Sequence, residues 1–160
     1  MDTSFEIIQI GCGGTGSYLV APLSRFVGSV KKTGTSIRYC LIDDDTVEEK
    51  NIMRQNFSSS DVGNLKVVAM FERYGNEEEI DEIFSERCND KFLKEVFLEN
   101  VSDENKVIIF VGCVDNVESR LQVYRSIVGA LDSTCNTEDG VKTDIFYVDA
   151  GNHTPERRIS

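Results

Sequence analysis

Near the N-terminus, Gly11-Cys12-Gly13-Gly14-Thr15-Gly16 follows the spacing G-x-G-x-x-G. Glycines at this spacing allow a tight turn and close backbone approach to a phosphate. A helix opening directly behind them aims unpaired N–H groups at that phosphate. Asp43 stands where the next strand should end, and a carboxylate there accepts hydrogen bonds from ribose hydroxyls. Glycine loop and acid together fit any dinucleotide-binding domain, an NAD(P)-dependent oxidoreductase of the same fold included.

The residues after Asp43 point to different chemistry. Asp43-Asp44-Asp45-Thr46-Val47-Glu48-Glu49-Lys50-Asn51-Ile52-Met53-Arg54-Gln55 gathers Asn51, Arg54 and Gln55 into one short stretch, and Lys66 follows twelve residues beyond Arg54. Asn51 and Arg54 are three apart, so on a helical turn both point the same way. With 28 acidic residues against 17 basic ones and a net charge of −11, the chain must hold any polyphosphate with local cations. Arg54 and Lys66 are the candidates, arginine for paired contact with phosphate oxygens and lysine as a mobile point charge. Further on, Gly112-Cys113-Val114-Asp115-Asn116-Val117-Glu118-Ser119-Arg120 closes an apolar strand. Asp115 falls at the carboxyl edge of the sheet, where ligands bind in open α/β folds. Facing phosphate oxygens, it is a candidate Mg²⁺ ligand; its alternative role is to cap the next helix.

The elements that must position these residues can be read from periodicity. Buried strands are expected at Phe5–Ile10, Ile37–Ile42, near Ile80–Phe84, at Val107–Val111 and at Ile145–Val148. A helix over Gly14–Lys32 presents Leu19, Leu23, Phe26, Val27 and Val30 to the core, with a kink or break at Pro22. Asp61 is expected to cap a helix running to Tyr74. Further helices fall at Asp90–Leu98, burying Phe92, Leu93, Val96 and Phe97, and at Leu121–Leu131. Alternating strands and helices give an α/β fold, Rossmann-like, with a mostly parallel sheet and helices on both faces. The 160 residues amount to one such nucleotide-binding domain, with no repeat or linker.

Composition bounds the rest. Hydrophobic residues make up 40% and charged residues 28%, as in a globular domain. No apolar run approaches the roughly 20 residues that span a bilayer, and the first residues do not read as a signal peptide. A cytoplasmic location is the expectation. The strong negative charge disfavours binding to nucleic acid or to an anionic membrane. The five cysteines include no C-x-x-C pair, so neither a zinc site nor a redox motif is indicated; Cys40 and Cys113 read as small core hydrophobes.

In combination these motifs resemble the ThiF/MoeB/HesA superfamily, whose adenylating domain is shared with the ubiquitin-activating enzymes. The family pattern is a G-x-G-G-x-G loop, then D-x-D-x-V-x-x-x-N-x-x-R-Q, a lysine shortly after, and D-N-x-x-x-R at a strand end. Gly11–Gly16, Asp43–Gln55, Lys66 and Asp115–Arg120 match it in order and spacing, and Val148-Asp149-Ala150-Gly151-Asn152 looks like the family's next strand end. The opening is also similar to ThiF relatives of the PRTRC plasmid systems. The resemblance implies an ATP-dependent adenylyltransferase using Mg²⁺, acting on the C-terminal carboxylate of a ubiquitin-like or sulfur-carrier protein with a Gly-Gly tail. It implies catalytic roles for Arg54, Lys66 and Asp115, with Asp115 on Mg²⁺. Nucleotide contacts would come from Gly11, Gly13, Gly14, Thr15, Gly16, Asp43, Asp45, Asn51, Arg54, Gln55, Lys66, Asn116 and Arg120. A homodimer is implied as well.

The chain departs from the family in lacking an N-terminal helix with its arginine, the zinc-binding cysteine pairs and the segment beyond Ser160. Cys135 lies too early for the family's thioester cysteine, and His153 reads as a loop residue. The expectation is therefore a nucleotide-binding portion without the family's C-terminal segment. A non-catalytic dimerisation partner, or a relative acting on tRNA, stands as an alternative.

Overall fold

The computed structural model describes residues 3–76, 78–98, 105–132 and 143–150. Five strands, β1 (Ser4–Ile10), β2 (Ile37–Ile42), β3 (Glu82–Phe84), β4 (Lys106–Gly112) and β5 (Thr143–Asp149), form one sheet in the order β3-β2-β1-β4-β5. Every pairing is parallel; β1 runs in register from Phe5 against Ile37 to Ile10 against Ile42, and its other edge ends with Ile10 against Gly112. This is the doubly wound order, and the chain reverses direction across the sheet between β1 and β4.

Strand periodicity explains how both faces become core. On one face Ile7, Tyr39, Leu41 and Val111 pack with Val20 and Val27 of α1 (Gly14–Lys31) and Val67, Ala69 and Met70 of α2 (Lys66–Tyr74). On the other, Ile8, Ile10, Cys40, Ile42, Ile108 and Phe110 meet Leu93 of α3 (Asp90–Leu93) and Val123, Ile127 and Ala130 of α4 (Val117–Asp132). Alternate residues of one strand thus serve opposite layers, so β1 and β2 carry apolar residues at both parities, interrupted by Glu6, Gln9 and Arg38. The expected fold class is the one observed. Cys40 and Cys113 are buried as small hydrophobes, and burial pushes both thiols up to about 12.

Several local expectations are corrected. α1 runs unbroken through Pro22, because Pro22 sits on the exposed face and the carbonyl it leaves unpaired, that of Tyr18, belongs to an equally exposed residue. Phe26, assigned to the core face, is exposed. Asp61 does not start α2. It caps a short 3-10 turn, Ser59–Asp61, and Gly63 at φ +90° turns the chain before the helix begins at Lys66. Its carboxylate instead ion-pairs with Arg73 at the far end of that helix. After Leu93 the helix widens into a π-turn, Lys94–Leu98, which rotates Val96 outward while Phe97 and Leu98 stay buried. α4 begins four residues earlier than periodicity suggested, at Val117. Gly151, Asn152, Cys135 and His153 lie outside the described residues.

Candidate nucleotide-binding site

β1 delivers the chain into the glycine loop at the point where the sheet reverses. Gly11 sits at φ +101°, a conformation that disfavours any side chain, and a Cβ there would lie 2.8 Å from the Cys113 carbonyl oxygen. Gly16 lets the first turn of α1 rest on the loop, since a Cβ on it would come within 2.0 Å of the Gly11 oxygen. No side chain caps the N-terminus of α1, and no acidic residue occupies its first turn. Its N–H groups are therefore open to an anionic ligand.

Around this loop lies a cleft of about 360 Å³. It is lined by Gly11 and Gly13, by Asp43, Asp44 and Asp45 from the end of β2, and by Lys66 at the start of α2. Asp115, Asn116, Ser119 and Gln122 line it from the β4 end and α4, and Glu86, Arg87 and Cys88 from the loop after β3. The lining thus joins the carboxyl ends of four elements, as strand order predicts for a ligand site in an open α/β sheet.

Asp43 is tied into the loop: one carboxylate oxygen accepts from the Cys12 N–H at 2.6 Å and the other from the Asp45 N–H at 2.8 Å. Burial pushes its carboxyl above the ordinary carboxylate range, against the opposing pull of those two N–H groups and of Lys66. Lys66 is buried and ion-pairs with Asp45 at 2.7 Å, its own N–H bonding the Asp45 carbonyl. An ammonium carries three donors, so phosphate oxygens can share Lys66 without breaking this pair.

Asp115 is exposed at the mouth of the loop. Its Oδ1 lies 3.4 Å from the point where a side chain on Gly14 would begin. No hydrogen bond or ion pair engages its carboxylate among the described residues. Asp43, Asp44 and Asp45 also bring carboxylate oxygens within 4.8 Å of one another. Of these, Asp43 is already bonded to two N–H groups and Asp45 to Lys66. The carboxylate of Asp115, unengaged among the described residues, is the better match to what a divalent cation would need.

Of the remaining candidate residues Asn116 lines the cleft, while Asn51, Arg54, Gln55 and Arg120 sit around it. Asn51 is buried, and its Oδ1 accepts from the Glu48 N–H at 2.8 Å, closing a 3-10 turn. The chain keeps turning beyond it, the Arg54 N–H donating to the Asn51 carbonyl at 3.0 Å, but Asn51 is buried while Arg54 is exposed, its guanidinium without a hydrogen bond or ion pair among the described residues. Gln55 is buried beside the loop, with Nε2 3.8 Å from the Cβ point of Gly13 and Oε1 unpartnered. Asn116 caps α4 by accepting from the Ser119 N–H at 2.8 Å. Arg120 is buried behind it, bonding the Val114 carbonyl at 3.3 Å and pairing with Asp149 at 3.6 Å. Sequence reasoning missed the Glu86–Cys88 loop, whose signal was its place after a parallel strand. It also missed Gln9, a fully buried amide between Ile8 and Ile10, which bonds the glycine loop from beneath.

Residues 3–153 match the ThiF family, and the chain belongs to it. Among solved structures the chain is similar to an E. coli tRNA N6-threonylcarbamoyladenosine dehydratase, TcdA, at 22% identity and TM-score 0.59, over 90% of this chain and 50% of that one. The same enzyme in complex with ATP matches at 24% identity and TM-score 0.53, over 74% of this chain and 44% of that one. E. coli MccB with succinimide matches at 22% and 0.52, over 91% of this chain and 37% of that one. At these identities the likeness is one of fold, and the chain spans about half the length of TcdA. No curated protein sequence matches it closely. No helix among the described residues is long and apolar enough to cross a membrane.

Proposed function

We propose that this ThiF-family chain binds ATP with Mg²⁺ in the glycine-loop cleft and activates a carboxylate as its adenylate, as the nucleotide-binding portion of a carrier-activating enzyme. The observation that carries this reading is the juxtaposition of an uncapped helix N-terminus, a buried lysine and an unpaired carboxylate on one cleft. A dinucleotide oxidoreductase needs the loop and Asp43 but has no use for Lys66 and Asp115. The complex of TcdA with ATP supports the same ligand here.

In the proposed reaction a carboxylate oxygen of the acceptor attacks the α-phosphorus. The bond from that phosphorus to the bridging oxygen breaks, and pyrophosphate leaves. The acceptor is already ionised at neutral pH, so no general base is needed. The protein's part is positioning and charge stabilisation. Asp43 retains a second lone pair on each oxygen for a ribose hydroxyl. The N–H groups of Gly14, Thr15 and Gly16 receive phosphate oxygens, and Lys66 adds charge where the leaving group develops it. Arg54, whose guanidinium is unpaired among the described residues, is available to close on the phosphates from the rim. Asp115 would hold Mg²⁺, which when bound neutralises phosphate charge. Gln55, Asn51, Asn116 and Arg120 support the loop and helix ends around these groups.

The acceptor we propose is the Gly-Gly tail of a ubiquitin-like or sulfur-carrier protein, and the working unit a homodimer in the cytoplasm. The net charge of −11 weighs against tRNA as the acceptor. Pyrophosphate release measured with ATP, Mg²⁺ and Gly-Gly-tailed carriers tests the reaction. Thermal shifts with ATP and NAD at equal concentration test the ligand. A larger shift with NAD, or pyrophosphate release stimulated by tRNA and by no carrier, would overturn the reading.

A further inference from the structure

The peptide joining Gly11 to Cys12 is held at both ends. Its carbonyl oxygen accepts from Gln9 Nε2 at 3.0 Å, and its N–H donates to Asp43 Oδ2 at 2.6 Å. In a trans peptide these groups point in opposite directions, so gripping one fixes the other. Gly11 at φ +101° carries no side chain to hinder rotation of this plane, and the two hydrogen bonds are what orient it. Gln9 Nε2 also donates to the Gly16 carbonyl at 3.1 Å, so one amide ties the start of the loop to the first turn of α1.

The amide itself has a fixed orientation. Tyr39, on the neighbouring strand, donates its hydroxyl to Gln9 Oε1 at 2.6 Å, which leaves Nε2 as the end that must face the two carbonyls. Gln9 and Tyr39 are both fully buried, so water cannot substitute for any of these bonds. A leucine or isoleucine would fill the volume of Gln9 among the apolar residues packed on its face of the sheet, Ile7, Leu41 and Val111. An amide here makes sense as a device for the loop rather than for the core.

We infer that Gln9 is a positioning residue for nucleotide binding: oriented by Tyr39, it holds the Gly11–Cys12 peptide so that the Cys12 N–H fixes Asp43 in its ribose-binding pose. This rests on the proposed nucleotide site and goes beyond it by assigning the site's geometry to a buried pair on β1 and β2. Without Gln9 the peptide is free to turn, Asp43 loses its Cys12 bond, and the ribose contact loosens together with the loop.

The test is a double-mutant cycle on ATP affinity, measured by calorimetry with Mg²⁺, using Gln9→Met, Tyr39→Phe and Asp43→Ala. Methionine matches glutamine in length and removes the donor; Tyr39→Phe removes only a hydroxyl and serves if Gln9→Met does not fold. Gln9→Met and Tyr39→Phe are each expected to weaken ATP binding about fivefold to tenfold, the worth of roughly one buried hydrogen bond. In the Asp43→Ala background the same changes are expected to cost less than about twofold, because their route to the ligand is gone. Hydrogen exchange at the Cys12 amide, read without nucleotide, should quicken in both single variants. Unchanged affinity with slow Cys12 exchange would overturn the inference, as would factors that multiply independently with Asp43→Ala. A wild type that binds no adenine nucleotide would overturn the functional reading and this inference with it. A wild type that binds, with Gln9 variants binding equally well, overturns this inference alone.

Discussion

Two groups of carboxylates sit on the same sheet and are treated oppositely. At its amino end, Glu6 of β1 is buried and enclosed by cations: Lys106 at 2.6 Å and Arg38 at 3.0 Å, the latter also holding Glu82 at 2.8 Å. At its carboxyl edge, Asp43, Asp44, Asp45 and Asp115 line an open cleft with Lys66 and Arg87 as the cations beside them. The first group sets two carboxylates against two cations, so its charges cancel within the protein. The second holds more negative charge than its neighbours offset, and the Asp115 carboxylate has no hydrogen bond or ion pair among the described residues. A cluster satisfied from within supports the fold, whereas one left unsatisfied at a strand's carboxyl edge is arranged for something that arrives from solution.

The largest effect that should separate the two ends concerns Lys66. Lys66→Ala is expected to remove about 3–4 kcal/mol of transition-state stabilisation in carrier-dependent pyrophosphate release, comparable to deleting one preorganised donor in other enzymes. Arg54→Ala should cost less, since Arg54 reaches the phosphates only by moving. Initial-rate kinetics on both variants check the order, and equal losses would place Arg54 in the cleft after all. At the other end, Glu6→Gln should lower stability by about 2–3 kcal/mol, reduced from the usual cost of breaking a buried pair because Arg38 is half exposed. Denaturant titration would show that loss, and nucleotide affinity of the folded variant should stay within about twofold.

Asp115→Asn comes next in size. Removing the charge should weaken ATP binding about tenfold with Mg²⁺ present and much less with EDTA, with folding unaffected, since Asp115 is exposed and its carboxylate has no partner among the described residues. Calorimetry with and without the metal separates these cases.

The smallest effect sharpens the contrast through pH. Burial opposes ionisation of Asp61, but hydrogen bonds from the Ser58 N–H and hydroxyl and the Arg73 guanidinium outweigh it and hold this carboxyl below its ordinary value of 3.8. Asp61 therefore contributes stability that is present above pH 3.8 and is lost as pH falls through its lowered value. Asp43 has the opposite sign: its raised pKa means a contribution present below 3.8 and lost as pH rises through the raised value. Asp61→Asn should cost on the order of 1 kcal/mol at neutral pH, shrinking towards zero in acid. Asp43→Ala should show no such acid-limited loss. Melting curves between pH 3 and 8 distinguish the two, and parallel profiles would contradict the assignment.

How much of this was legible beforehand follows from which interactions are local. Strand and helix periods, the glycine spacing and the acidic strand end are properties of neighbours in the chain, and they foretold the α/β layers, the loop and the strand-end positions of Asp43 and Asp115. Local reading failed where a residue's partner is remote. Asp61 looked like a helix cap because the Ser58 turn and Arg73 that claim it are set by the fold. Asn51 and Arg54 do share a turn, but nothing in their spacing reveals that Asn51 is buried against the Glu48 N–H while Arg54 is exposed. Val96 looked buried because a π-turn cannot be read from an α-helical period.

The amino-acid sequence by itself determined that a phosphate-binding loop would open a helix at the end of a buried strand, since glycine conformations and side-chain alternation act over a few residues. Only the tertiary structure decided which polar groups face the ligand and which face each other. Gln9 became the support of the loop because β2 places the Tyr39 hydroxyl against its oxygen. Glu6 became a closed ion cluster because parallel pairing sets Arg38 beside it and brings Lys106 within reach. A charge or an amide takes its role from what lies within about 3 Å of it, and chain separation says nothing about that distance.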